Sequence, residues 1–101
     1  VIHEHAVLNI DVSRAEEFEA AFEEAAPLIS ASAGFQRMTV SRCVETPGRY
    51  LLLVAWESVA AHNEGFRGSP AYQQWRELLH QFYDPMPLVE HYEVVLEADP
   101  A

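Results

Sequence analysis

Five histidines and an aromatic set with two nearby arginines are the residues of this 101-residue chain best suited to chemistry. His3 and His5 alternate along one segment, and His91 falls in a segment expected beside it. Two alternate histidines on a strand hold a metal only with a third ligand from elsewhere, so the plainer reading is a solvent-facing or interface strand end. His62 follows Trp56 in a short helical stretch and reads as a half-buried, hydrogen-bonded side chain, whereas His80 reads as exposed. No His-x-x-x-His pair occurs, which leaves a zinc hydrolase unsupported, and no metal site is expected. Cys43 has no local histidine and there is no Gly-x-Ser-x-Gly elbow, so a nucleophilic mechanism has no candidate. The four glycines fall at turns and ends, and none builds a phosphate loop.

The aromatic residues Trp56, Phe66, Tyr72, Trp75, Phe82, Tyr83 and Tyr92 gather in the second half, with Arg67 and Arg76 among them. So many rings can be simply the core of a small domain. They can also wall a pocket, and an arginine at its border would hold a carboxylate, an enolate or a phenolate. Arg76, directly after Trp75, is the expected border residue. The pocket is expected between helices and sheet, open near Asp84–Pro87.

The elements that must position these residues follow from hydrophobic period. Residues 2–12 alternate as a strand with Ile2, Ala6, Leu8, Ile10 and Val12 on one face. Ser13 and Glu16 read as a capping box opening a helix whose inner stripe is Phe18, Phe22, Ala25, Ala26 and Ile29, with Pro27 expected to kink or shorten it. Residues 35–45 and 49–57 read as a hairpin about a type II turn at Thr46-Pro47-Gly48-Arg49. The second arm is apolar on both faces, as a covered central strand would be. Ser58 caps a short helix through Phe66. Ser69-Pro70 starts another, burying Tyr72, Trp75, Leu79 and Phe82. A last strand is expected from Leu88 to Glu97.

The order β-α-β-β-α-β, with its second helical part split, predicts an α+β, ferredoxin-like fold. It has a four-stranded antiparallel sheet in the order 4-1-3-2 with both helices on one face. The other face would leave Val7, Leu51, Leu53, Val89 and Val95 in water, so a homodimer packed sheet to sheet is expected. A chain of this length is expected to form one domain, residues 1–101.

Sixteen acidic residues oppose six basic ones, all of them arginine, for a net charge of -10. Such a field repels phosphate backbones and anionic lipid, so neither nucleic acid nor membrane is an expected partner. No apolar run reaches the roughly 20 residues of a membrane span, and the N-terminus lacks a signal-peptide layout. A soluble, cytoplasmic location is expected. Five of the acids lie on the first helix, whereas Arg67 and Arg76 would make a local cationic spot at the pocket, suited to an anionic ligand group.

The run Trp56-Glu57-Ser58, then Ala61-His62, then Phe66-x-x-Ser69-Pro70, then Tyr72, resembles the antibiotic biosynthesis monooxygenase family over about residues 3–97. The resemblance implies a dimeric ferredoxin-like fold with a ligand cavity between sheet and helices. It also implies a cofactor-independent monooxygenase that oxidises a phenolic or quinol-type aromatic with O2, or a non-catalytic binding domain of the same fold. In members that oxidise anthrone-like polyketides, Trp56 and Arg76 match a tryptophan and an arginine of the site. His62 and Leu52 stand where those members have a tyrosine and an asparagine. His62, with an ordinary pKa of ~6.5, would serve as proton acceptor, Arg76 would hold the resulting anion, and Trp56 would pack the rings. Leu52, Phe66, Tyr72, Trp75 and Phe82 would complete the substrate site. In haem-degrading members the required residues correspond to Ala6, Phe66 and Arg76, none of which matches, so that role is disfavoured.

Overall fold

The computed structural model describes residues 1–101. Four strands, β1 (Ile2–Asn9), β2 (Phe35–Arg42), β3 (Arg49–Trp56) and β4 (Val89–Tyr92), form one antiparallel sheet in the order β2-β3-β1-β4. Helices α1 (Ala15–Ser30) and α2 (Pro70–Leu79) are joined to it by a π-helical turn, Ala61–Phe66, and short 3₁₀ segments at Val12–Arg14 and His80–Phe82. This is the ferredoxin-like arrangement, and both the element order and the strand order agree with the sequence pattern.

The period-two alternation sets what each face sees. Even-numbered residues of β1 and β3 (Glu4, Ala6, Leu8, Tyr50, Leu52, Val54, Trp56) are buried under the helices. Odd-numbered residues, Val7, Leu51, Leu53 and Ala55 among them, occupy the opposite face and stay partly or fully exposed. The register Ala6↔Leu52 and Glu4↔Val54 holds the two central strands in step. At the hairpin, Gly48 has φ +81°, and a Cβ there would stand 2.6 Å from the carbonyl oxygen of Ile10. Only glycine meets both conditions of this turn.

Several expectations are corrected. Ser13 and Glu16 do not form a capping box: the Asp11 carboxylate accepts from Ser13 N–H at 2.9 Å, and a 3₁₀ turn intervenes before α1. Pro27 does not shorten α1, which runs on to Ser30. Pro27 is exposed, so the carbonyl it leaves without a donor lies on the watered side of the helix. The strand β2 ends at Arg42, not residue 45, and β3 at Trp56. The last strand is only Val89–Tyr92. The pairing of His3 with Tyr92 leaves residues beyond Val94 no partner in β1, and Val95 and Leu96 are exposed. Val89 is not on the open face. It pairs with Ala6, whose side chain is buried under the helices, and a directly opposed pair shares one face.

Candidate functional site

Between sheet and helices lies a cavity of about 140 Å³. Its apolar walls come from Ala6, Leu8 and Leu52 on the sheet, Ile29 of α1, Phe66 of the π-helical turn, and Tyr72 and Trp75 of α2. Met86, Pro87 and Val89 line it beside the Asp84–Pro87 loop. Besides the Tyr72 hydroxyl, five polar or titratable side chains break this lining: Glu4, His62, Arg67, His80 and Tyr83.

Glu4 is the residue the sequence reading missed. It occupies an even position of β1, so the pleat turns its carboxylate under the helices, where it is 5% exposed. The signal was present: a carboxylate in the apolar register of an alternating strand. Its Oε1 accepts from the indole Nε1–H of Trp56 at 2.9 Å and lies 3.2 Å from His62 Nε2. Oε2 takes no hydrogen bond from the protein, yet no buried side-chain polar atom lacks a partner, so Oε2 opens onto the cavity. Burial raises the Glu4 pKa above the ordinary carboxylate value, opposed by the Trp56 hydrogen bond and by the charge of Arg67.

His62 is buried and stacked on Trp56, with ring centroids 5.2 Å apart and planes inclined by 17°. Burial pushes its pKa down to about 3, helped by Arg67 and His91, so the ring is neutral near pH 7. With Nε2 beside a carboxylate, the proton of the neutral ring belongs on Nε2. Nδ1 is then the acceptor for His91 Nε2–H, 2.8 Å away. Glu4, His62 and His91 thus form a chain running from the cavity to the edge strand β4. Tyr83 presents a hydroxyl with no protein partner, and burial, then the charge of Glu4, raise its pKa. It stays a donor at neutral pH.

The structure divides the other expected site residues. Leu52, Phe66, Tyr72, Trp75 and His62 line the cavity together. Trp56 does not line it. Fully buried behind Glu4 and His62, it orients both, and is a positioning residue. Phe82 is not at the site either: it packs in the core against Phe18, 5.4 Å between centroids, under the Arg14 guanidinium. Arg76 is exposed, with its guanidinium 5.9 Å from the Tyr72 ring centroid. One residue on from the buried Trp75, it is turned about 100° around α2, away from the sheet. Arg67 lines the cavity in its place. His80, expected to be exposed, is half-buried and also lines the cavity.

The sequence pattern of the antibiotic biosynthesis monooxygenases matches residues 1–78. The chain belongs to this family. Within it, the chain is 48% identical to YczJ of Bacillus subtilis strain 168 over 95 residues, 94% of this chain and 100% of that protein. A crystal structure of a Bordetella bronchiseptica protein assigned to the same family superposes with TM-score 0.89 at 36% identity, covering 94% of this chain and 97% of the other. SnoaB, a cofactor-independent oxygenase from Streptomyces nogalater, shares the fold at TM-score 0.81 and 15% identity, with 95% and 94% of the chains covered. No helix of the chain is long and apolar enough to cross a membrane.

Proposed function

We propose that this family member is a cofactor-independent monooxygenase that oxidises a one-ring phenol or hydroquinone with O2. The observation that carries the reading is a carboxylate, Glu4, opening one oxygen into an apolar cavity beside a neutral histidine. A cavity of about 140 Å³ has room for a single aromatic ring, as apolar cavities near 150 Å³ take benzene. Fused polycyclic substrates exceed it. SnoaB, named as a cofactor-independent oxygenase, supports this class of chemistry on the same fold.

In this reading the Glu4 carboxylate takes the proton of the substrate hydroxyl, and the Tyr83 O–H steadies the phenolate left behind. The electron-rich phenolate gives one electron to O2. The phenoxyl and superoxide radicals join at a ring carbon that carries hydrogen, para to the oxygen in phenol and ortho to it in hydroquinone, and Glu4 returns its proton to the peroxide. Glu4 then removes the hydrogen of that carbon as the C=O bond forms and the O–O bond breaks. The departing hydroxide takes this proton and leaves as water. Phenol and O2 give quinone and water, and Glu4 ends as it began. Apolar walls keep bulk water from the radical pair.

An oxygen electrode with phenol, hydroquinone and naphthohydroquinone tests this. Protein-dependent uptake is expected with the one-ring compounds and little with the fused one. No uptake above the buffer rate, or a ligand bound and returned unchanged in air, overturns it in favour of a binding domain.

A second copy of the chain is the proposed cover for the open sheet face, where Val7, Leu51 and Leu53 are poorly shielded. The expected solution mass is about twice the 11.4 kDa of one chain, falling to that of one chain on Leu53→Asp. Light scattering at micromolar concentration measures it, and a monomeric wild type contradicts it.

A further inference from the structure

We propose that the ligand of this cavity is a phenol bearing a carboxylate, of the hydroxybenzoate class, held with its hydroxyl at Glu4 and its acid group at Arg67. This rests on the reading that the cavity binds a phenol.

The cavity has two chemically opposite ends. Glu4 and His62 are buried, and a carboxylate there repels any second anion and welcomes an O–H donor. Arg67 lines the same cavity and is itself exposed, so it stands where the cavity meets solvent. It makes no ion pair or side-chain hydrogen bond, whereas Arg14 and Arg42 are each paired with a glutamate. Glu64, three residues earlier on the same turn, is exposed and does not neutralise it. The charge of Arg67 is nevertheless felt inside: it adds to burial in lowering the pKa values of His62, His80 and His91, and it opposes the rise that burial causes at Glu4. With room for one ring, an acid substituent on that ring stays at the mouth. There an unpaired guanidinium offers the planar fork a carboxylate fits.

Titration calorimetry under nitrogen tests this without calling on oxidation. The probes are 3-hydroxybenzoate, its neutral counterpart 3-hydroxybenzyl alcohol, and phenol, against wild type, Arg67→Gln and Arg76→Gln. The two variants remove the same charge from neighbouring exposed sites, only one of them on the cavity. The acid is expected to bind wild type and Arg76→Gln on the order of tenfold more tightly than the alcohol, and Arg67→Gln no more tightly. Equal binding of acid and alcohol by wild type overturns the proposal, as does a preference that survives in Arg67→Gln or disappears equally in both variants. The carbon para to the hydroxyl of 3-hydroxybenzoate carries hydrogen, so the same compound enters the oxygen-uptake assay. Arg67-dependent binding without uptake overturns the oxygenase reading and leaves the ligand class standing. Uptake with no acid preference does the reverse.

Discussion

Replacing Glu4 by Gln is expected to lower protein-dependent oxidation by about 10²–10⁴, the usual worth of a positioned general base, with the fold intact. Gln keeps the chain length, and its carbonyl oxygen still accepts from Trp56 Nε1–H, so the buried indole is not left unpaired. What is lost is an oxygen able to take a proton. The pH dependence gives a second reading of the same residue. A base works when deprotonated, so the wild-type rate rises with pH through the Glu4 pKa, which burial has raised. The variant loses this limb. Steady-state oxygen uptake across pH, with circular dichroism confirming the fold, makes the comparison, and near-wild-type turnover in Glu4→Gln rules the residue out as the base.

Trp56 carries the largest expected effect on stability. Its side chain is fully buried between Phe35, His62 and Phe66, and its indole holds Glu4. Trp56→Ala opens a void that the surrounding rings cannot fill, at a cost of about 3–5 kcal/mol. Total stabilities of about 5–15 kcal/mol make that a large share. Chemical denaturation of wild type and variant measures it, and a loss below about 1 kcal/mol would contradict the packing described. Trp56→Phe separates packing from hydrogen bonding. It keeps a ring against His62 and removes the N–H that holds the Glu4 pKa down, so the rising limb of the rate profile moves to higher pH. An unmoved limb would show that Trp56 does not tune the base.

The fold was legible because β1 alternates with period two and the run before Glu57 is apolar on both faces, as a covered central strand must be. The doubly apolar run Tyr50–Trp56 by itself marks β3 as a central strand, where the structure has it. The site was legible only in part. Tyr72 and Trp75 follow from helical spacing, since residues on one stripe share a face, whereas His62 and Phe66 follow from the family resemblance. Arg76 is adjacent to Trp75 in sequence but not in space, because neighbouring helical residues diverge by about 100°. Glu4 was overlooked because an acid in an apolar register counts against burial until a partner is known, and its partners lie 52 and 58 residues away. Phe82, at the correct spacing for the inner stripe, went to the core because the helix tightens into a 3₁₀ turn after Leu79.

The turn Ala61–Phe66 has a consequence for how ligand choice changes among chains of this fold. Its backbone closes with the amide of Arg67 donating to the carbonyl of His62 at 3.0 Å, five residues back. On an ordinary α-helix two residues so spaced stand about 140° apart, and only one could face the cavity. The wider turn narrows that angle, and both His62 and Arg67 line the cavity, so one loop of backbone supplies both poles of the pocket. A chain that kept the same five-residue spacing but wound this turn as an ordinary α-helix would carry the guanidinium round from the cavity. Selectivity for an acid would then be gained or lost by a change in winding, with every residue of the apolar wall untouched.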